Sequence, residues 1–139
     1  MKLTVCLTSR DRQILTQKAI ESLHTYSTIF DEIDIYVFDN LSVATPERFS
    51  IFSRLLKDKK IKFYSYDTKD TLSHCFGKSV IFERWLHMLD IDLKIKNSQK
   101  IKEDRYFLLM DNDMIVSENW DQYFICASDF IEKTNKLNH

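Results

Sequence analysis

Glycine and proline are almost absent from this sequence, and their scarcity excludes the common glycine-dependent phosphate sites. The 139 residues contain one glycine, Gly77, and one proline, Pro46. A GxGxxG turn and a Walker A loop each need several glycines, because backbone amides must approach a phosphate closely. Neither pattern occurs in the sequence. We therefore do not expect a protein of the glycine-rich phosphate-loop type.

Cysteines and long apolar runs are also scarce. The three cysteines, Cys6, Cys75 and Cys126, are far apart and form no C-x-x-C pair, which argues against a disulfide framework or a zinc site and favours a reducing compartment. No apolar run approaches the ~20 residues needed to cross a bilayer, and the one before Ser9 is too short for a signal peptide. We expect a cytoplasmic protein; attachment to the inner face of the membrane stays open.

The overall charge gives no reason to expect a nucleic-acid partner. The formal net charge is −1, with 44% apolar and 29% charged residues. That balance excludes a disordered chain, and 139 residues suit a single domain with a sizeable core. The four histidines are scattered and form no pattern of metal ligands.

Apolar periodicity predicts four repeats of a strand followed by a helix. The predicted strands are 3–7, 33–38, 61–66 and 106–110, and the first three start roughly 30 residues apart, which is typical of crossover units in a parallel sheet. Thr45 and Pro46 mark a helix start, and Thr8 or Ser9 is expected to cap the first helix. Residues 94–104 are expected to form an exposed insertion. The predicted helical stripes are Leu15, Ala19, Leu23 and Tyr26; Phe49, Phe52, Leu55 and Leu56; Val80, Trp85, Leu86 and Leu89; and Trp120, Phe124, Ala127 and Ile131.

Two acids directly follow the most apolar strand. Residues 106–110 are predicted to form a strand buried on both faces, and Asp111, Asn112 and Asp113 come next. In an extended backbone, residues i and i+2 project to the same side, so the two carboxylates would converge. They would repel each other unless a divalent cation such as Mn²⁺ or Mg²⁺ bound between them. The alternative is that both acids are solvated turn residues.

Polar residues also follow the other predicted strands. In open parallel sheets, ligands bind beyond the carboxyl ends of the strands, where the strand order reverses. This placement favours a ligand site, although polar loops need no ligand. The clusters are Thr8, Ser9 and Arg10; Asp39, Asn40 and Ser42; Asp67; and Asp111 to Asp113.

These motifs resemble the nucleotide-sugar glycosyltransferases of the GT-A fold, in particular the family 2-like group. The loop after the first strand resembles that family's Thr-Tyr-Asn-Arg-like loop, without its usual proline. The second strand ends like its Val-Asp-Asn/Asp-x-Ser motif, and 108–113 are placed like its D-x-D motif, with Trp120 following. The resemblance implies a three-layer α/β/α domain over residues 1–139, with a mainly parallel sheet. It also implies the N-terminal, donor-binding part of a longer enzyme, or a half that needs a partner chain.

The resemblance implies a role for each candidate residue. Asp39 would accept a hydrogen bond from the donor's base, commonly uracil, and Thr8, Ser9 and Arg10 would edge the same pocket. Asp111 would face the ribose or the metal, and Asp113 would coordinate Mn²⁺ or Mg²⁺ at the diphosphate. Lys78 would contact phosphate or base, or else be a solvated helix residue.

The partners follow from the same resemblance. The donor would be a nucleotide-diphosphate sugar, and the acceptor is an unidentified glycan, lipid or protein; a homodimer is also compatible. No catalytic base is assigned, because the family places it beyond this region, and Glu118 and Asp121 fit helix N-terminal charges better. The alternative function is a non-catalytic nucleotide-binding or scaffolding domain.

Other acid-containing motifs fit less well. A haloacid-dehalogenase-like phosphatase would carry its D-x-D motif on the first strand, and a receiver domain needs an acid pair there. An EF-hand loop starting at Asp111 would have Val116 in place of glycine and Gln122 in place of glutamate. The glycosyltransferase hypothesis requires Asp39 and the Asp111/Asp113 pair to lie at one edge of the sheet.

Overall fold

Four strands alternate with four helices along the chain. The structure is a computed structural model, and it describes residues 1–40, 45–67, 74–98 and 105–137. The elements are β1 (Lys2–Ser9), α1 (Gln13–Tyr26), β2 (Glu32–Asn40), α2 (Pro46–Lys57), β3 (Phe63–Asp67), α3 (His74–Ser98), β4 (Arg105–Asp111) and α4 (Trp120–Leu137). The predicted order of elements is confirmed.

The strands form one parallel sheet in the order β3-β2-β1-β4. The strand order reverses between β1 and β4, so their carboxyl ends border the crevice where ligands bind in such sheets. In the register of the sheet, Thr8 of β1 lies opposite Asp111 of β4, and Ser9 lies opposite Asp39 of β2. The acids of β2 and β4 therefore flank the end of the same strand.

Helices cover both faces of the sheet, as predicted. On one face, α1, α2 and α4 pack over alternate β-strand residues; Leu23 and Phe52 belong to this core, and Phe124 packs against it. On the other face, α3 places Trp85 and Leu89 over Cys6, Tyr36 and Phe38. The alternation of β1 and β2 residues between the two cores follows from the two-residue period of a strand.

The prediction that β4 is buried on both faces is wrong. Phe107 and Leu109, on the face toward α3, are 46% and 53% exposed, whereas Met110 on the other face is buried. β4 lies at the edge of the described sheet, and the Trp85 ring of α3 makes an edge-on contact with Phe107. The apolar run identified the strand correctly, but full burial needs covering neighbours on both sides.

Several details of the helices also differ from the predictions. Phe49 and Leu56 of α2 are exposed, and the buried side of this helix consists of Arg48, Phe52 and Leu55. The stripes of α1, α3 and α4 are likewise only partly buried, since Tyr26, Leu86, Ala127 and Ile131 are exposed. α3 extends to Ser98, so part of the predicted insertion is helical, and 99–104 lie outside the described residues.

The two predicted helix caps have opposite outcomes. At α2, the Thr45 hydroxyl accepts a hydrogen bond from the Arg48 backbone N–H at 3.2 Å, and Pro46 begins the helix, as expected. At α1, the residue before the helix is Arg12, and no side chain caps the helix. In the described part of the chain, no helix is long and apolar enough to cross a membrane.

Candidate functional site

The ends of β1, β2 and β4 bring four of the predicted site residues together. The Thr8 hydroxyl donates a hydrogen bond to Asp111 Oδ1 at 3.1 Å, which links β1 to β4. Ser9 lies beside Asp39 in the neighbouring register. Asp39 and Asp111 thus lie at one edge of the sheet, which is the arrangement that the glycosyltransferase hypothesis requires.

Asp39 is fully buried and is bound by two side chains that the sequence did not single out. Arg48 Nη1 lies 2.8 Å from Asp39 Oδ2, and the Tyr64 hydroxyl donates to the same oxygen at 2.9 Å. Arg48 comes from α2 and Tyr64 from β3. A signal for Arg48 existed, because it precedes Phe52 and Leu55 at 4-3 spacing and therefore shares their buried side of the helix.

Tyr64 is a hydrogen-bond donor in this cluster at all ordinary pH values. Burial raises the pKa of its hydroxyl, and the negative charge of Asp39 and the hydrogen bond to it raise the pKa further, so the phenol keeps its proton. The ring stacks on Phe52 with a centroid distance of 4.4 Å, which holds the hydroxyl in place. The cluster thus joins an ion pair to a neutral donor.

The loop between β1 and α1 is held by hydrogen bonds from Asn112 and Thr16. Asn112 Nδ2 donates to the Asp11 backbone oxygen and to Thr16 Oγ1, both at 3.3 Å. Thr16 Oγ1 also lies 3.2 Å from Ser9 Oγ and donates to the Arg12 backbone oxygen at 3.1 Å. Asp11 and Arg12 both have positive φ, a costly conformation for residues other than glycine, so these bonds hold a tight turn without glycine.

The same contacts explain why the first helix lacks the expected cap. The Thr8 hydroxyl is directed to Asp111 and the Ser9 hydroxyl to Thr16, so neither reaches the helix amides. Asp11 precedes the helix, which begins at Gln13. Arg10 is exposed in this loop. The prediction that Thr8 or Ser9 caps α1 is therefore wrong.

The chain turns within the D-x-D segment. Asp111 is the last residue of β4, and the Met114 backbone N–H donates a hydrogen bond to the backbone carbonyl oxygen of Asp111 at 3.3 Å. The expectation that extended backbone aligns Asp111 with Asp113 is therefore wrong, because strand alternation ends at Asp111. Asp113 is 56% exposed, and Arg12 Nη1 lies 3.9 Å from its Oδ2.

The residues present are chemically suited to a divalent cation that also binds a phosphate. Within the described ranges, no group of three or more histidine, cysteine, aspartate or glutamate side chains could hold a metal alone. Mg²⁺ usually binds one or two carboxylates, keeps several waters and takes its remaining ligands from substrate phosphates. Asp111 and Asp113 fit this kind of partial site.

The remaining predicted residues cannot be compared in the same way. Lys78 belongs to α3, but its side chain lies outside the described part of the structure. Asn40 and Asp67 end β2 and β3, and their side chains are likewise outside it. Ser42 lies in 41–44, beyond the described residues.

A cavity opens beside Asp111 on the α3 side of the sheet. It has a volume of about 230 Å³, and its lining residues are Cys6, Thr8, Phe82, Leu109, Met110, Asp111 and Met114. Phe82 and Leu109 also line a larger apolar groove of about 540 Å³ along α3 and β4. Burial raises the pKa of the Cys6 thiol to about 12, so this cysteine remains an uncharged thiol, as expected for a small buried apolar residue.

Asp121, at the start of α4, has a structural role. It is buried and accepts hydrogen bonds from the backbone N–H groups of Thr28 and Ile29, at 2.6 and 2.7 Å. Burial alone would raise its pKa, but these hydrogen bonds outweigh burial and lower it. Asp121 therefore ties α4 to the turn after α1.

Comparisons with known proteins identify the fold. No family model matches the chain, and no curated protein matches it. Crystal structures of Staphylococcus aureus TarS, a glycosyltransferase, match over 96% of the chain at 16% identity, with TM-scores of 0.57 and 0.56. The chain has a glycosyltransferase fold.

The matching region is only a part of TarS. The chain spans 20% of one TarS chain and 32% and 33% of the two structures of TarS 1–349. One of those structures is a complex with UDP-GlcNAc. At 16% identity, the likeness establishes the arrangement of strands and helices.

Proposed function

We propose that this chain is the donor-binding part of a glycosyltransferase that transfers a sugar from a nucleotide-diphosphate sugar to an acceptor hydroxyl. The observation that carries the proposal is the placement of Asp39 and Asp111 on either side of the end of β1, where the strand order reverses. Ligands of open parallel sheets bind at this position. The TarS complex with UDP-GlcNAc makes a UDP-sugar the favoured donor.

In this proposal, the base lies at the β2 side of the crevice. Asp39 accepts a hydrogen bond from an N–H of the base, and Thr8, Ser9 and Arg10 border the same pocket. The position of Asp39 is determined by Arg48 and Tyr64, and its side chain is buried, so this contact requires the residues that cover the carboxylate to move aside when the donor binds.

The diphosphate lies at the β4 side. Asp111 faces the ribose or the metal, Asp113 coordinates Mn²⁺ or Mg²⁺, and Lys78 contacts phosphate or base. A bound cation neutralises the charge of the departing nucleoside diphosphate and so lowers the cost of breaking the anomeric bond. Thr8 keeps the Asp111 carboxylate oriented through its hydrogen bond.

A non-catalytic nucleotide-binding domain is the second candidate. It is favoured by the commitment of Asp121 to the turn after α1, which leaves that acid unsuited to act as a base. Release of free sugar or transfer to an added acceptor would distinguish the enzyme from the binding domain.

Calorimetry with UDP tests the proposal directly. We expect the chain to bind UDP in the presence of Mn²⁺ and to lose most of this binding when the metal is removed with a chelator. Asp31→Ala is a suitable control variant. Asp31 is an exposed acid just before β2, at the end of the sheet opposite the carboxyl ends of the strands. Binding of UDP that is equally strong with and without metal would reject the metal assignment.

Arg12 is expected to compete with the metal for Asp113. Arg12→Ala should raise the affinity for Mn²⁺ alone by about 1.4- to fivefold, because an exposed ion pair is worth about 0.2–1 kcal/mol. Titration of Mn²⁺ without nucleotide measures this change. Lys18→Ala removes an exposed cation of α1 and controls for the change in overall charge. Equal effects of both variants, or a lower affinity in Arg12→Ala, would contradict the competition.

A further inference from the structure

β4 is an edge strand that carries exposed apolar side chains. Within the described sheet, whose order is β3-β2-β1-β4, no strand pairs with its outer edge. Phe107 and Leu109, on the face toward α3, are 46% and 53% exposed. They line the groove of about 540 Å³, together with residues of α3 that include Phe82 and Leu86. We call this groove and the adjoining outer edge of β4 the β4 surface.

A bound apolar small molecule is the simplest occupant of such a groove. It would cover the side chains but would leave the edge of β4 without a partner strand. Proteins usually protect an exposed strand edge with lysine, proline or a bulge, because an apolar edge pairs readily with another chain. The five central residues of β4, 106–110, contain no charged residue and no proline. The β4 surface is therefore better suited to another β-strand than to a small ligand.

The sequence of β4 is complementary to itself in the antiparallel direction. It runs from Arg105 to Asp111 and has Leu108 at its centre. When two copies pair about Leu108, Arg105 of each copy lies opposite Asp111 of the other. Phe107 of each copy lies opposite Leu109 of the other. Opposite charges and large apolar side chains are favourable pairs at directly opposite positions of two strands.

This pairing also agrees with the two faces of the sheet. Side chains alternate along a strand, so Phe107 and Leu109 share the face toward α3, and Tyr106, Leu108 and Met110 share the other face. A two-fold axis perpendicular to the sheet keeps each face of one copy level with the same face of the other. Phe107 and Leu109 of each copy would then extend the apolar surface of the other copy and cover its groove.

We propose that two copies of this chain associate through the β4 surface, by antiparallel pairing of their β4 strands about Leu108 into one continuous sheet. Such an interface uses the same surface on both copies and closes at two. The inference concerns assembly and does not depend on the proposed donor site. It does place Arg105 of the second copy next to Asp111, at the border of that site.

Sedimentation equilibrium of the chain and of Leu109→Lys tests the association. We expect the unaltered chain to have twice the 16.7 kDa mass of one copy. Leu109→Lys should raise the dissociation constant of the dimer by about thirtyfold or more, because a charge replaces a central apolar contact in both copies. Leu56→Lys alters an exposed leucine of α2, which packs toward β3 at the other edge of the sheet, and should leave association unchanged.

Exchange of charges tests the contacts at the ends of the paired strands. Arg105→Glu puts a carboxylate opposite Asp111 of the second copy, and it should weaken association by about three- to tenfold, since like charges directly opposite are unfavourable. Asp111→Arg alone should weaken it similarly. The double variant has opposite charges in the reverse order and should recover most of the loss. Thermal unfolding of each variant separates loss of fold from loss of association.

Cysteine cross-linking tests the register. Leu108→Cys should form a disulfide between two copies, because directly opposite residues of antiparallel strands have Cα atoms about 4.5–5.5 Å apart, within the range of a disulfide. Leu109→Cys is the matched control, since it lies diagonally from its counterpart at about 7–8 Å and should cross-link far less. Both are made with Cys75 and Cys126 replaced by serine, which leaves only the buried Cys6 as a native cysteine.

The results separate this inference from its alternatives and from the proposed function. If the unaltered chain keeps the mass of one copy at its highest soluble concentration, the β4 surface is not an interface between copies and the proposal is wrong. If the dimer persists in Leu109→Lys, or if Leu109→Cys cross-links as readily as Leu108→Cys, the copies associate differently and the proposal is also wrong. A dimer that does not bind UDP would reject the proposed function and leave this inference intact.

Discussion

Replacement of Asp113 by alanine is expected to lower Mn²⁺-dependent UDP binding by about a hundredfold or more. Loss of an outer-shell partner of a metal ligand already costs about 10- to 100-fold in affinity, and loss of a direct ligand should cost at least as much. With Asp111 and Asp113 as the only carboxylates assigned to the ion, Asp113 supplies half of the protein's share of the charge. The comparison is calorimetry of UDP with the original chain and the variant at one Mn²⁺ concentration.

The fold should not change in this variant. Asp113 is 56% exposed, and its ion pair with Arg12 has an N–O distance of 3.9 Å, so its removal should alter thermal stability very little. Asp31→Ala, an equally simple loss of an exposed acid, should leave UDP binding unchanged. If Asp113→Ala binds UDP as tightly as the original chain and still responds to Mn²⁺, the metal is held elsewhere.

The parts of the site that lie at strand ends could be predicted from the sequence. Asp39 and Asp111 each follow an apolar run, and parallel strands place all their carboxyl ends at one edge. No knowledge of side-chain contacts is needed for that argument. It depends only on the direction and the order of the strands.

The contacts within the site could not be predicted in the same way. Arg48 is a charged residue on a helix, where solvent exposure is the usual expectation, and its burial depends on acids that come from β2 and from the loop after β1. The turn after Asp111 likewise depends on a hydrogen bond that the spacing of the acids does not reveal. The exposure of Phe107 depends on what lies beyond the edge of the sheet.

The contacts of Asp121 with Thr28 and Ile29 could not be predicted from the sequence either. Replacement of Asp121 by alanine should be the most destabilising of these changes. Two short hydrogen bonds from the Thr28 and Ile29 backbone would be lost. The free energy of unfolding should fall by about 3 kcal/mol, since hydrogen bonds to a charged group contribute about 1.5–3 kcal/mol each. That is a large part of the free energy of unfolding of a typical domain, which is roughly 5–15 kcal/mol. Urea unfolding at neutral pH measures the loss, with Glu132→Ala as control, since Glu132 is an exposed acid of α4 whose ion pair with Lys136 is also exposed.

The pH dependence of this loss identifies its cause. The hydrogen bonds lower the pKa of Asp121 in the folded chain below the ordinary value of 3.8, so the unfolded state binds its proton first as the pH falls. The stabilisation is therefore complete above the ordinary pKa and is lost as the pH falls through the lower, folded one. The difference in unfolding free energy between the original chain and Asp121→Ala should shrink below about pH 4. Asp34, whose pKa is also lowered, is present in both chains and cancels. A difference that stays constant to the lowest pH would show that packing, not the carboxylate, holds α4 to the turn.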